Sequence, residues 1–115
     1  NQAMFGVVHG GMSRDLREKS CQILSDQEFD GYAIGGSLGK TKDDLIEILD
    51  WSMPHLNPER PVHLLGIGDL ESLERSIPFG IDTFDSSYPT KAARHGLFFT
   101  PSGKLNIYNN CHKTD

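Results

Sequence analysis

Asp85, a set of strand-ending glycines and five histidines are the residues of this chain whose types and spacing could do chemistry. Asp85 closes the apolar run GIDTFD at residues 80–85. Ligands of α/β proteins bind at the carboxyl ends of strands, and a carboxylate there serves as nucleophile, base or metal ligand. A cap or turn leading into Ser86 and Ser87 is the competing assignment, and the pattern alone leaves both open. Asp82 stands three residues earlier and faces the opposite side of a regular strand. The two aspartates are therefore not expected to form an acid/base dyad. His9-Gly10-Gly11, Gly35-Gly36 and Gly66-x-Gly68 end other apolar runs. Glycines there let backbone N–H and C=O groups approach a ligand closely, and tight strand-to-helix turns account for them equally well. Gly39-Lys40-Thr41 is not the end of a phosphate loop, because that pattern needs a glycine at position 34, which is Ile34. His9, His55, His63, His95 and His112 show no HxH or HExxH spacing, so none is expected to bind metal. His63 reads as structural, in or beside a strand, and His55 as a loop residue after a proline.

These residues need elements to position them. The run at 4–11 reads as a buried strand closed by glycines. Ser13 can cap a helix over 13–26, with Leu16, Cys21 and Leu24 at helical spacing. Residues 31–36 form a second strand. Thr41 and Asp44 make a capping box ahead of a stripe of Leu45, Ile46, Ile48, Leu49 and Met53, and Pro54 ends that helix. A third strand over 62–68, a short helix over 70–77 and a fourth strand over 80–85 follow. Residues 96–108 hold two β-type runs around Pro101-Ser102-Gly103, a hairpin signal. Strands alternating with helices predict a parallel sheet. Four such units make half of a (β/α)8 barrel, which takes about 250 residues, or a small doubly wound sheet.

Composition bounds the rest. The chain has 115 residues, 37% hydrophobic and 23% charged, which is globular rather than disordered. No stretch of about 18 apolar residues exists to span a membrane, and no basic start leads into a short apolar segment, so no signal peptide is expected. Asn1 in place of an initiating Met suggests a piece of a longer chain. The net charge of −5 argues against a free-standing nucleic-acid binder. Its distribution is uneven: residues 1–90 hold 7 basic and 15 acidic residues, whereas Lys91, Arg94, Lys104 and Lys113 face only Asp115 in the remainder. That basic end could face phosphates. Cys21 and Cys111 lie 90 positions apart, outside any CxxC, and read as reduced thiols of a cytosolic protein.

FGVVHGG, FDGYAIGG, HLLGIG and GIDTFDSSYPTKAARHG, followed by a GxLNI segment, occur here in that order and spacing. Together they resemble the tRNA-guanine transglycosylase (queuine tRNA-ribosyltransferase) family over residues 5–109, and GIDTFDSSYPTKAARHG is the most specific piece. The resemblance implies an α/β fold with residues 1–95 as the second half of a (β/α)8 barrel, about its last four βα units. Residues 96–115 would begin a β-hairpin and zinc subdomain. It implies a cytoplasmic glycosyltransferase that replaces guanine at the tRNA wobble position with a 7-deazaguanine, preQ1 or queuine. Asp85 matches the catalytic nucleophile, which attacks C1′ of the ribose to give a covalent intermediate. The target base must be splayed from its loop. His9, Gly35, Gly36, Ser37, Leu65 and Gly66 match base-binding segments, and Lys91 and Arg94 match residues that hold tRNA. A structural zinc, no organic cofactor and a homodimer are implied for the full-length parent.

Three departures qualify the match. His9 stands where the family usually has Gln, a change of reach rather than of donor and acceptor capacity. Ser37-Leu38-Gly39 is one residue shorter than the usual bacterial segment and has Ser for Leu, which could admit queuine. The Cys-x-Cys-x2-Cys…His zinc ligands and the upstream aspartates are missing, and Cys111 and His112 do not match the zinc pattern. The segment alone is therefore expected to be inactive. A non-catalytic partner subunit on the same scaffold is the alternative, which retention of Asp85 disfavours. An unrelated barrel enzyme binding a phosphorylated metabolite gives no reason for the block at 80–96.

Overall fold

The computed structural model describes residues 1–106; Tyr108, Cys111, His112 and Lys113 lie outside them. Strands β1 (Phe5–Val8), β2 (Gly31–Ile34), β3 (Val62–Leu64) and β4 (Thr83–Phe84) pair in parallel, in the order β1-β2-β3-β4. Helices α1 (Arg14–Ser25), α2 (Lys42–Ser52) and α3 (Leu70–Ser76) connect them. Each strand joins the same growing edge, without the reversal of a doubly wound sheet. Right-handed crossovers that never reverse leave the helices on one face, which fits part of a (β/α)8 barrel.

Side-chain alternation divides the sheet. Val8, Tyr32, Ile34, Val62 and Leu64 are buried in one core with Cys21, Leu45, Ile48 and Leu49 of α1 and α2. On the other face Phe5, Val7 and Leu65 are 42%, 40% and 37% exposed, and Thr83 and Asp85 share it. That is the face a closed barrel turns inward.

Local chemistry sets the helix ends. Ser13 Oγ accepts from Leu16 N–H at the start of α1, and Thr41 and Asp44 form the expected reciprocal capping box on α2. Pro54 tightens the chain into a 3₁₀ turn at Met53–His55. One face assignment changes. Leu16 is 57% exposed, and its neighbour Arg17 is fully buried instead. The apolar spacing of α1 holds for Cys21 and Leu24, and Cys21 is a free thiol pushed up to about 11 by burial.

The strands are shorter than the sequence suggests: a turn begins at Leu65 directly after β3, and only Thr83 and Phe84 pair in β4. A fourth helix not anticipated from the sequence, α4 (Tyr88–Arg94), starts with Pro89 in its first turn, where a missing N–H costs nothing. The hairpin is β5 (Leu97–Thr100) and β6 (Gly103–Asn106), antiparallel, with Thr100 opposite Gly103 and Pro101 and Ser102 at the tip. Tyr88 packs on Phe99 with ring centroids 5.5 Å apart, which ties the hairpin to α4. No helix among the described residues is long and apolar enough to cross a membrane.

The buried and exposed positions separate in a stability measurement. Ile48→Ala, at full burial in α2, should lower the unfolding free energy by about 2–5 kcal/mol, whereas Leu16→Ala should stay within roughly 0.5 kcal/mol. Urea denaturation of both variants checks this, and equal losses would contradict the packing.

Candidate active site

Parallel pairing sets His63 beside Thr83 across β3 and β4. Asp85 stands two residues beyond Thr83 on the same face, so the imidazole bridges both. His63 Nε2 lies 2.7 Å from Asp85 Oδ1, and Nδ1 lies 2.6 Å from Thr83 Oγ1. A carboxylate only accepts, so Nε2 carries the proton, and the Thr83 hydroxyl donates to Nδ1 when the ring is neutral. Gly66 N–H donates to the same Oδ1 at 3.2 Å. Gly66 has φ +74°, while nothing lies within 4 Å of where its Cβ would be. Backbone conformation, not space, demands glycine there.

The carboxylate of Asp85 is exposed, and its pKa is held below the ordinary value, first by the His63 hydrogen bond and then by Gly66 N–H. It is a preorganised anion at the carboxyl edge of the sheet. The capping assignment goes elsewhere: Ser86 Oγ accepts from Tyr88 N–H at 3.0 Å at the turn into α4. Asp82 is also accounted for. Its Oδ2 accepts from Val62 N–H, and its own N–H donates to Val62 O, both at 2.9 Å. That work at the opposite end of the strands keeps it apart from Asp85, as the spacing suggested.

The other residues singled out in the sequence continue this row across the sheet. Leu65 follows His63 on the same face and lies over Gly35, where an added Cβ would stand 2.7 Å from Leu65 Cδ1. Gly36 borders the His9 ring, 3.0 Å from Nδ1 by the same measure, and His9 N–H donates to Ser20 Oγ at 3.3 Å. Ser37 is exposed next to Gly36. His9, Gly35, Gly36, Ser37, Leu65 and Gly66 thus run from the end of β1 to Asp85. Lys91 and Arg94 are exposed in the last turn of α4, spaced to share one side of that helix. They lie one element beyond Asp85 rather than beside it.

His63 is the site residue that sequence reasoning passed over. It lies in a strand as expected, yet its ring serves the carboxylate. The signal available was its position two residues before Leu65, on the face that carries Leu65 and Asp85. No group of three or more His, Cys, Asp or Glu among the described residues could hold a metal. The described residues therefore do not fit the structural zinc that the resemblance implies, and Cys111 and His112 fall outside them.

Comparison with known proteins agrees with the resemblance. The family model described as Queuine tRNA-ribosyltransferase matches residues 1–115. A Queuine tRNA-ribosyltransferase of Protochlamydia amoebophila is 58% identical over 114 residues, 99% of this chain and 30% of that protein. Those of Chlamydia felis and Chlamydia trachomatis serovar D are 50% and 53% identical, over 100% and 99% of this chain and 31% of each relative. The chain thus spans about 30% of the length of the curated relatives it matches.

The Asp85–His63 geometry has a titration signature. A carboxyl with a lowered pKa stays ionised above that value and is protonated only as the pH falls through it. His63→Phe removes the largest cause of the lowering, so the midpoint of Asp85 should move to higher pH. His63→Gln, which keeps a donor, should move it less. Carboxyl ¹³C NMR titration reads both, and an unmoved midpoint in His63→Phe would show that the ring does not act on Asp85.

Proposed function

The chain belongs to the queuine tRNA-ribosyltransferase family, and we propose that it supplies the nucleophile and part of the base pocket of a tRNA-guanine transglycosylase. The observation that carries this reading is Asp85, held ionised by His63 and Gly66 at the end of a row of glycines. In this reading the carboxylate attacks C1′ of the wobble guanosine. The glycosidic electron pair leaves on N9 of guanine, which takes up a proton, and an ester-like bond joins Asp85 to the ribose. A 7-deazaguanine, preQ1 or queuine, then gives up its own N9 proton, attacks C1′ and releases Asp85. No organic cofactor takes part.

Each other residue has a place in this scheme. Backbone groups of Gly35, Gly36 and Gly66 meet the polar edge of the base, Leu65 packs on its face, and His9 and Ser37 border it. Lys91 and Arg94 hold tRNA phosphates. Residues 1–95 are assigned to the second half of a barrel and 96–115 to the start of the zinc subdomain. The structural zinc, the remaining base-recognition groups, the general base and the homodimer contacts belong to parts of the parent protein other than these described residues. With a tRNA substrate the work is assigned to the cytoplasm. Asp85 with its two partners also favours the enzyme over a non-catalytic partner subunit, which has no use for a preorganised carboxylate.

A covalent tRNA adduct on a denaturing gel tests the reading. A protein of full family length carrying this segment should form it. Asp85→Asn should not, and its base exchange should fall on the order of a thousandfold or more. The isolated 115-residue chain should give neither adduct nor exchange. An adduct that persists in Asp85→Asn would remove Asp85 from its role, and exchange by the isolated chain would show that half a barrel suffices.

A further inference from the structure

Asp85 uses its two oxygens unequally. Oδ1 accepts from both His63 Nε2–H at 2.7 Å and Gly66 N–H at 3.2 Å. Oδ2 has no partner among the described residues. The imidazole is in turn held from its other side, where Thr83 Oγ1 lies 2.6 Å from Nδ1. Thr83 is exposed on β4, opposite His63 in the ladder. Its hydroxyl has no other partner among the described residues. Neither imidazole contact closes a turn or caps a helix, and a cross-strand pair of this kind adds only modestly to a sheet.

A carboxylate oxygen and an ester carbonyl oxygen both only accept, so Nε2 carries the proton whether Asp85 is free or esterified. The Thr83 hydroxyl donates to Nδ1 of the neutral ring and keeps it in that orientation. With Oδ1 occupied twice, Oδ2 is the oxygen left to bond C1′. Donors on Oδ1 bind a carboxylate more strongly than a neutral ester. They therefore favour the departing anion over the covalent adduct, in line with the lowered pKa of Asp85.

Building on the function proposed above, we infer that Thr83 and His63 are positioning residues for the second displacement, in which Asp85 is released. N9 of the incoming deazaguanine, its proton passed to a base elsewhere in the parent protein, bonds to C1′. The Oδ2–C1′ bond breaks and its electron pair goes to Oδ2. The new charge spreads to Oδ1, where His63 Nε2–H and Gly66 N–H already stand to receive it. Thr83 acts through His63, and His63 acts through Oδ1.

The test uses a protein of full family length carrying this segment. The covalent adduct is formed on tRNA and then chased with 7-deazaguanine. Thr83→Val keeps the shape of the side chain and removes the hydroxyl, so its adduct should be released about threefold to tenfold more slowly. KM for tRNA should not change, and Thr83→Ser should restore the release rate. His63→Phe should still form the adduct and release it roughly tenfold more slowly or worse. A merely structural role would lower formation and release together or raise KM for tRNA, and either result overturns the inference. So does failure of both Thr83 variants to fold, read by circular dichroism. Asp85→Asn separates the two readings. If it still forms the adduct, the nucleophile itself is misassigned. If it forms none while Thr83→Val and His63→Phe release theirs at the unsubstituted rate, only the role of Thr83 and His63 fails.

Discussion

The site depends on the shared direction of the four strands. Strands paired in parallel and added in chain order bring their carboxyl ends into one row, so turns that are far apart in sequence become neighbours in space. The His63–Thr83 register then decides which side chains on that row can touch. Residues opposite each other in the ladder share a face, and a long side chain reaches the position two further along. His63 therefore meets Asp85 across 22 positions of sequence. A register slip of one residue would send the imidazole into the helix-side core and leave the carboxylate with Gly66 alone.

Direction alone leaves the turns loose at the end of β1 and β2, where glycines dominate. Arg17 supplies the restraint. Its guanidinium satisfies carbonyls from β1, from the turn after it and from the segment after β2. Val8 O also accepts from Gly35 N–H, whereas Gly11 O, Gly35 O and Ser37 O would otherwise need water. The helix that delivers Arg17 is fixed by Ser13 at its start and by Cys21 in the core. Local capping, helix docking and loop geometry are thus links in one chain of positions. At the other end of the row Asp85 is fixed by the His63 ring and the Gly66 N–H, so the two ends of the row are held by separate devices.

What could be read from the sequence follows from which features are local. The capping box at Thr41, the stop at Pro54 and the hairpin turn at Pro101 depend on residues close in the chain, and each was legible. The carboxyl-end row was legible as well, because glycines and Asp85 punctuate apolar runs. The face of His63 was legible from its spacing to Leu65, but its contact with Asp85 was not, since that is set by register between strands 20 residues apart. The exchange of Leu16 for Arg17 on the buried side of α1 escaped for another reason. Helical spacing ranks positions by hydrophobicity, and a charged residue whose partners are four backbone carbonyls is invisible to that ranking. The helix Tyr88–Arg94 was masked by its short length and by Pro89, which is compatible with a first turn but reads as a breaker elsewhere.

The two faces of the sheet carry different obligations. The helix side is a finished core. The opposite side exposes Phe5 and Val7 at the amino-terminal part of β1, while Asp85, Leu65 and Gly36 lie at the carboxyl edge. Apolar side chains at one level, and the Asp85 carboxylate with the Gly36 backbone at the next, fit part of a barrel whose interior is packed below and whose mouth is open above. The relatives are about three times the length of this chain, enough for further strands to cover Phe5 and Val7 without covering Asp85. Closing the barrel would then bury the apolar level and surround the anion with a rim, lowering the local dielectric at the carboxylate. Such a rim strengthens the His63 and Gly66 hydrogen bonds, because both act on a charge that water would no longer screen.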